Sequence, residues 1–463
     1  MAPAVAIPVP PMPAPILIGT TGLSGALLLA VCLFVRNNYV RALAFAFWFR
    51  YVLSAWHPIT FPPSVGGLSI NAIGSCAVIA LTVVLLGPRA LFHRYAWAFL
   101  VFLLAIVLSA GVNGRAAGGI NAVIKLSYLL CIANLTYHAI RTAGVETTMK
   151  VVATSFFLPV VEQWISVAIG LKKMSELDGS GSFIGGFAHE AAFSIMLVTF
   201  LFAAVFLRRP SVSSLLCLMI GLVGLVLANY RTAMLAVIPI LICYLMTTST
   251  APIRRDQRPA ALVIALLIVA AAGSVLVLLA ADRLQDIATA LSKGASLIKP
   301  PEYFTRDEQQ LFSGRAYIWS AYLTAWLRGD VWATLFGFGP DAWQGVFVIY
   351  AHNTFVSILY EDGLLGLIGL CIVFADYVAR GIASRGPERT LAVYASTSFL
   401  LLNFATMPLW QVEGNLLFGI LLGHSWYLHA ASARRSLGPL GSAPMGRRLP
   451  NPSEYGAPDI AAR

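Results

Sequence analysis

Apolar runs, many of them long enough to span a membrane, follow one another along almost the whole chain. Hydrophobic residues make up 59% of the 463 positions and charged residues only 11%, a balance that soluble domains of this size do not have. About 20 apolar residues cross a bilayer as a helix. The sequence therefore predicts an all-α polytopic membrane protein with about 12–13 transmembrane helices. The predicted spans are 16–35, 42–56, 69–87, 95–111, 119–140, 151–170, 189–207, 212–229, 231–248, 260–281, 352–379, 390–407 and 414–431.

Basic residues lie in every second connection between these runs and in the segment after the last one. The positive-inside rule places such connections in the cytoplasm. Thirteen spans then put the N-terminus outside and the C-terminus inside; the run at 42–56, which is short and contains Arg50, is the weakest of them. The net charge of +11 follows from these clusters, so no nucleic-acid partner is expected. The clusters contain Arg36, Arg41, Arg89, Arg94, Arg141, Lys150, Arg208, Arg209, Arg254, Arg255, Arg258, Arg380, Arg385, Arg389, Arg434 and Arg435.

The same alternation divides the chain into five segments. Segment 1–15 is rich in Pro and Ala and lacks the basic start of a secretory signal, so the first apolar run is expected to remain a span. The others are the transmembrane helices of 16–281, a large outer loop at 282–351, the C-terminal transmembrane helices of 352–431 and a disordered cytoplasmic tail at 432–463.

The loop at 282–351 is the largest soluble part of the chain, and it is too small and too aromatic for a separate domain. Tryptophan favours the interface between lipid and water. We therefore expect a cap of short helices, at 283–294 and 314–328, that rests on the outer membrane surface. Its tryptophans are Trp319, Trp326, Trp332 and Trp343.

Two arginines in the outer connections are candidate anion-binding residues. Arg231 follows Tyr230 between two apolar runs with almost no loop, and Arg315 opens a predicted helix after Ser313, a residue type favoured at helix N-caps. Guanidinium groups bind phosphate oxygens through two parallel hydrogen bonds, and helix N-termini favour anions. The alternatives are structural: a snorkelling arginine at position 231 and a surface arginine on a capped helix at position 315.

Polar residues also stand at the front of the apolar segment 352–379, which has 28 residues. That is more than a span needs, so its first turns are expected at the membrane surface or in a wet cavity. A charge inside a span costs about 2.5–3.5 kcal/mol on insertion scales and marks a functional candidate. His352 is one such candidate, because a neutral histidine accepts a proton near pH 7. The alternative is a helix cap formed by His352 and Asn353, with nearby glycines giving close helix packing.

Other polar residues are weaker candidates. Glu190 begins an apolar run; it would contact a sugar or the acceptor, or it is a helix-start acid stabilised by the helix dipole. Lys125, Glu162 and Arg50 lie inside predicted spans and are expected to pair internally. The role of Glu361 stays open. The six cysteines show neither metal-site nor disulfide spacing, and no metal or cofactor is expected.

Together these motifs resemble the O-antigen ligase and O-antigen/exopolysaccharide polymerase superfamily of bacterial inner-membrane enzymes. The resemblance covers roughly residues 180–425 and depends on the order of short motifs relative to the spans. The motifs are Tyr230-Arg231-Thr232-Ala233, Gly314-Arg315 with Trp319, Gly337-Phe338-Gly339, His352-Asn353-Thr354-Phe355 and Glu361-x-Gly363-x-x-Gly366.

The resemblance implies a helical membrane glycosyltransferase, similar to type C, that acts at the periplasmic face of the inner membrane. Its donor would be a glycan linked to polyprenyl diphosphate. An acceptor hydroxyl would attack the anomeric carbon with inversion, without a metal or a nucleotide sugar. Arg231 and Arg315 would then hold the diphosphate, and His352 would act as general base or orient the acceptor. Further candidate substrate contacts are Tyr230, Asn353, Glu190 and Glu361.

Two enzymes of this superfamily fit the motifs. A polymerase joins lipid-linked repeat units into exopolysaccharide or O-antigen and would work with flippase and chain-length regulator proteins. A ligase moves the finished glycan to lipid A core. The acid at position 190 favours the polymerase, with the ligase as the alternative. A transporter or flippase of an anionic solute is the second alternative, disfavoured because the chain shows no internal repeat and its candidate residues gather on one face.

Overall fold

The computed structural model describes residues 10–65, 68–174, 181–207, 211–249, 253–254, 256–264, 267 and 292–436. Its helices are α1 (Ala14–Phe34), α2 (Asn38–Ala55), α3 (His57–Thr60), α4 (Ile70–Leu86), α5 (Trp97–Val112), α6 (Ala116–Ala143), α7 (Val145–Thr154), α8 (Phe157–Ala168), α9 (Glu190–Phe206), α10 (Val212–Ala228), α11 (Arg231–Tyr244), α12 (Arg306–Gln310), α13 (Arg315–Leu327), α14 (Val331–Phe336), α15 (Thr354–Ile382), α16 (Pro387–Ala405) and α17 (Val412–Ser436). Two short antiparallel hairpins pair β1 (Pro63–Val65) with β2 (Leu68–Ser69) and β3 (Lys173–Met174) with β4 (Gly181–Ser182).

The prediction of an all-α polytopic membrane protein is confirmed. Within the described ranges, five helices are long and apolar enough to cross a membrane, and the pair α7–α8, bent by 41°, would make a sixth. The larger predicted number differs because several apolar runs form shorter helices. Helices α9 and α10 have 17 residues each, about 26 Å at 1.5 Å per residue, against a hydrocarbon core of about 30 Å. The five are Ala14–Phe34, Ile70–Ala90, Ala116–Ala143, Arg231–Thr248 and Thr354–Ile382.

Several predicted segments can be placed on this fold. The run at 42–56 lies within α2, most of whose residues are buried in the helix bundle. The short helix predicted at 314–328 is α13. The run at 260–281 and the helix predicted at 283–294 lie almost wholly outside the described residues, as does the tail beyond residue 436.

Helices α6 and α17 pack closely at the centre of the bundle. Two glycines of α17 make this possible, because a Cβ at Gly419 would overlap Ile132 and one at Gly423 would overlap the carbonyl of Ala133. Small residues at helix contacts let two backbones approach, which is the main source of helix association in a membrane. This contact therefore fixes the position of α17 relative to α6.

Arg50 forms a buried ion pair at the start of α17, as expected. Its guanidinium donates to Glu413 Oε1 at 2.8 Å, and Ser54 donates to the same oxygen at 2.6 Å. Glu162 and Lys125 do not pair with each other: Glu162 accepts a hydrogen bond from Thr20 at 2.9 Å. The ion pair joins α2 to α17.

The segment before α15 is anchored to α13 by two side chains. Trp319 Nε1 donates to the carbonyl of Ala351 at 2.9 Å, and the Tyr322 hydroxyl donates to the carbonyl of Ile349 at 3.0 Å. Tyr322 also stacks on Phe347, with ring centroids 3.9 Å apart. The start of α13 and the residues leading to α15 are therefore held in one arrangement.

A break in α15 explains two of the sequence motifs at once. Gly363 has φ +66° and ψ −162° inside the helix, and a Cβ there would overlap the carbonyl of Leu335 at the end of α14. On the other side of the contact, a Cβ at Gly337 would overlap the backbone of Glu361. The amide of Gly339 donates to the carbonyl of Glu361 at 2.7 Å. The Gly-x-Gly motif and the Glu-x-Gly motif thus form one interlocked backbone contact.

We expect Gly363→Ala to lower the thermal stability of the purified protein. A backbone with φ +66° and ψ −162° is adopted essentially only by glycine and costs a side chain about 1–3 kcal/mol, and overpacking adds about 1–3 kcal/mol. The matched control is Gly345→Ala, since Gly345 also has positive φ, at +78°, but nothing lies within 4 Å of its Cβ position. Thermal unfolding in detergent measures both variants. Equal losses of melting temperature would contradict the interlocked contact.

Candidate active site

His352 lies in the connection between α14 and α15, two residues before α15 begins. It has φ +51°, a conformation that histidine and asparagine adopt more readily than most residues. The next residue, Asn353, is the N-cap of α15: its Oδ1 accepts from the amides of Phe355 and Val356, and its Nδ2 donates to the carbonyl of Phe404 at 3.0 Å. Asn353 thus has the cap role that the sequence left open, and its amide group is engaged within the fold.

The imidazole of His352 is surrounded by aromatic and charged groups. It packs on Tyr350 with ring centroids 4.0 Å apart, and the Tyr350 hydroxyl lies 3.4 Å from Nε2 of His189. Burial, followed by the nearby charges of Arg315 and His189, lowers the pKa of His352 from 6.5 to about 3, although Glu190 opposes the shift. His352 is therefore a neutral imidazole at physiological pH.

A pH profile tests this environment. The pKa of His352 in the free protein is about 3, well below the usual 6.5. We therefore expect a plot of kcat/KM for glycan joining against pH to show no titration step near pH 6.5. The pKa of His352 is lower in the folded state than in the unfolded state, so the unfolded state binds a proton at a higher pH. The folded protein therefore loses stability as pH falls from 6.5 toward 3. Intrinsic fluorescence at each pH reports the folded fraction. An inflection near 6.5 in fully folded wild-type protein, absent from His352→Asn, would contradict the neutral, buried imidazole.

Arg315 is the first residue of α13, and its charge reaches both His352 and Tyr230. The N-cap residue is Gly314 rather than Ser313, in the left-handed conformation with φ +78°, and glycine has no side chain with which to cap the helix. Trp319, one turn along α13, ties this helix to the residue preceding His352.

Tyr230 and Arg231 occupy the tight turn between α10 and α11. Asn229 ends α10 in the left-handed conformation with φ +53°, Tyr230 is the N-cap of the next helix and Arg231 is its first residue. The Tyr230 ring is buried, and burial raises the pKa of its phenol, opposed mainly by the charge of Arg315. The phenol therefore keeps its proton at neutral pH and can donate a hydrogen bond.

Glu190 lies within electrostatic reach of His352 and Tyr230, and it pairs with Lys173, which the sequence did not indicate. It is the first residue of α9, and its carboxylate forms an ion pair with Lys173 of β3 at 2.6 Å. The charge of Glu190 acts on both His352 and Tyr230. Lys173 stands in a polar outer connection next to Lys172, and no motif distinguished the two; only the fold shows that Lys173 is buried against Glu190.

Glu361 is placed differently from the other candidates. It is buried, its Oε1 accepts from Ser357 at 2.9 Å and its Oε2 accepts from the amide of Asp341 at 3.0 Å. These bonds hold the backbone after Gly339 against α15. Glu361 also lines the cavity described in the next paragraph.

A cavity of about 420 Å³ opens beside His189 and Tyr350. Its wall combines aromatic side chains with amides and charged groups, and its volume is in the range of small-molecule sites, about 300–1,000 Å³. It extends between α2, α6, α9 and the start of α17. Across the part of the chain that the structure covers, no group of three His, Cys, Asp or Glu side chains is placed to hold a metal ion.

Residues 216–371 match the model of the O-antigen ligase family. The resemblance to the O-antigen ligase and polymerase superfamily is confirmed. The matched stretch contains Tyr230, Arg231, Arg315, His352 and Glu361, whereas Glu190 and Lys173 precede it. No curated protein matches the chain significantly.

The fold is that of a multi-pass membrane protein, and the family match supports a glycan-joining function of the ligase or polymerase type. The site is composite: four separate parts of the chain supply Glu190, Tyr230, Arg315 and His352, and the bundle brings their charges within reach of one another. Arg231 is adjacent to Tyr230 in sequence and partly exposed. The arrangement groups the Arg315 cation with one neutral imidazole and one phenol donor, and Tyr350, which packs on His352, also lines the cavity.

Proposed function

We propose that this protein is a periplasm-facing glycosyltransferase of the inner membrane that polymerises oligosaccharide repeat units carried on polyprenyl diphosphate. The observation that carries the proposal is the convergence of Arg315 with Tyr230 and a neutral His352, which lie at the starts of two membrane helices, within the residues that match the O-antigen ligase family. Membrane lipids, a lipid-linked donor and a glycan acceptor are the partners this chemistry needs, with a flippase and a chain-length regulator as expected protein partners.

In this proposal two arginines bind the donor. Arg231 and Arg315 would grip the diphosphate oxygens by paired hydrogen bonds, and the phenol of Tyr230 would donate a further one. As the bond to the sugar breaks, negative charge grows on the leaving diphosphate, and preorganised cations lower the energy of that state. The polyprenyl chain would remain in the lipid beside the helix ends.

In the transfer step the acceptor oxygen forms a bond to the anomeric carbon while the bond from that carbon to the diphosphate oxygen breaks. The bonding electron pair leaves with polyprenyl diphosphate. The acceptor hydroxyl gives its proton to the neutral imidazole of His352, and attack opposite the leaving group inverts the anomeric configuration. Burial lowers the pKa of His352 most, and the charge of Arg315 lowers it further. A bound diphosphate would offset that charge and so would make the imidazole a stronger base than in the free protein.

Glu190 and Asn353 act on this site indirectly in our proposal. The ion pair of Glu190 with Lys173 sets the negative charge near His352, and the helix cap made by Asn353 fixes the backbone that carries the imidazole. Glu361 holds the interlocked backbone contact beneath them.

An O-antigen ligase is the second candidate, and the description of the matching family favours it. The ligase shares the donor and the transfer step and differs in its acceptor, the lipid A core. The family match favours either enzyme over transport of an anionic solute.

Surface polysaccharide resolved by gel from a strain that lacks the gene separates the two enzymes. Single repeat units on the lipid core would indicate a polymerase, and full-length chains left on the carrier lipid would indicate a ligase. Normal polysaccharide in the deletion strain would contradict both. Complementation by the wild-type gene is the control.

A further inference from the structure

Four residues that line the cavity beside His189 present buried polar atoms without a hydrogen-bond partner in the described structure. Two of the atoms are donors and two are acceptors. Arg50 is only 4% exposed, and although Nε and Nη2 bind Glu413, its Nη1 binds nothing. The four atoms are Arg50 Nη1, Trp410 Nε1, Gln411 Oε1 and Asn71 Oδ1.

Such a set of atoms indicates a ligand. Native proteins pair nearly all of their buried polar atoms, because an unpaired one loses its hydration without compensation. Arg50 lies on α2, Asn71 lies on α4, and Trp410 and Gln411 precede α17, so three parts of the fold bring residues with unmet hydrogen-bonding groups to the wall of the same cavity. A molecule that both donates and accepts hydrogen bonds would satisfy them together.

The charges around the cavity favour a neutral ligand. Arg50 is neutralised by Glu413, and Lys125 lies within electrostatic reach of Asp341 and Glu361, so the wall carries no excess of positive charge. A carboxylate-bearing sugar would meet these acids without a free cation to balance it. Sugar hydroxyls donate and accept, and the apolar face of a pyranose ring packs on aromatic side chains such as Trp343, which also lines the wall.

We propose that this cavity is the acceptor subsite and that it takes a neutral sugar ring. His189 and Tyr350 line it, and Tyr350 packs on His352, so a hydroxyl presented beside Tyr350 would lie one side chain away from the general base. Trp410 and Gln411 are then residues that determine which acceptor is used. The assignment of the sugar as acceptor depends on the proposed function; the binding of a neutral sugar does not.

Saccharide binding to the purified full-length protein tests the subsite, with saturation-transfer NMR as the readout. The probes are the methyl glycosides of glucose, galactose, mannose, rhamnose and N-acetylglucosamine, with methyl glucuronide as the anionic comparison, at millimolar concentration. The test variant is Trp410→Phe/Gln411→Leu, which removes one donor and one acceptor and preserves approximate shape. Trp332→Phe is the matched control, because Trp332 lies on α14, is 62% exposed and does not line the cavity.

At least one neutral glycoside is expected to bind to wild-type protein, to Trp332→Phe and to His352→Asn, and to bind at least tenfold more weakly to the double variant. The subsite is overturned if no neutral glycoside binds, if methyl glucuronide binds best, or if the folded double variant binds as wild type does. Gln411→Leu alone serves if the double variant does not fold, with the same expected direction. His352→Asn separates the two proposals: loss of transfer with binding intact supports both, whereas full transfer with binding intact contradicts the proposed mechanism and leaves the subsite standing.

Discussion

Replacing His352 by alanine or asparagine is expected to abolish polysaccharide assembly, with a rate lower by about 10²–10⁴-fold, the usual contribution of a general base. The structure offers a physical reason, since burial and the charge of Arg315 keep this imidazole neutral, and a bound diphosphate would offset that charge and raise its basicity. Asparagine is the sharper substitution, because His352 has φ +51° and asparagine tolerates that conformation better than alanine does. A complementation assay at matched protein level measures the effect.

The control is His429→Ala, in α17 near the predicted cytoplasmic end, which is expected to leave polymer formation unchanged. If His352→Asn is present in the membrane at the wild-type level and makes normal polymer, His352 does not act on the acceptor hydroxyl. Loss of polymer in both histidine variants would instead indicate a general loss of folded protein.

Arg315→Lys is expected to lower the rate by about 10²–10³-fold, the usual cost of removing one group that stabilises developing charge. Lysine keeps the positive charge but cannot form the paired, planar hydrogen bonds that a guanidinium group makes with a diphosphate. The backbone should be unaffected, because α13 is held by Trp319 and Tyr322 rather than by Arg315. Arg315→Ala is expected to lose at least as much.

Arg328→Lys is the matched control, one residue beyond the end of the same helix. Its guanidinium is 66% exposed and pairs with Glu302 at 2.8 Å, so lysine can replace it and the rate should stay at the wild-type level. Full activity in Arg315→Lys would mean that position 315 supplies only charge, and the bidentate grip on diphosphate would be contradicted.

Turns and helix caps depend on neighbouring residues, and these features could be predicted from the sequence. The turn at Asn229 and Tyr230 was evident because two apolar runs meet there without a loop, and the cap at Asn353 was one of two stated interpretations. The number of spans was harder, since a run of apolar residues does not show where a helix bends. The 41° bend between α7 and α8 is an example.

The site itself depends on contacts between distant parts of the chain. Lys173 pairs with Glu190 across a hairpin, and Arg50 pairs with Glu413 from a position 363 residues away. Sequence shows such residues only as isolated charges. The Gly-x-Gly and Glu-x-Gly motifs were visible separately, but that Gly337 and Gly363 pack on each other's backbone segments is a property of the fold.

The most direct measurement of the central claim is the release of polyprenyl diphosphate by the purified protein in liposomes supplied with lipid-linked glycan from the parent strain. Wild-type protein is predicted to release polyprenyl diphosphate together with a longer glycan or a glycan-bearing acceptor, in equal amounts, while His352→Asn and Arg315→Lys release little. If the wild-type protein moves the intact lipid-linked glycan across the bilayer without releasing the carrier, it is a flippase, and the glycosyltransferase account is contradicted.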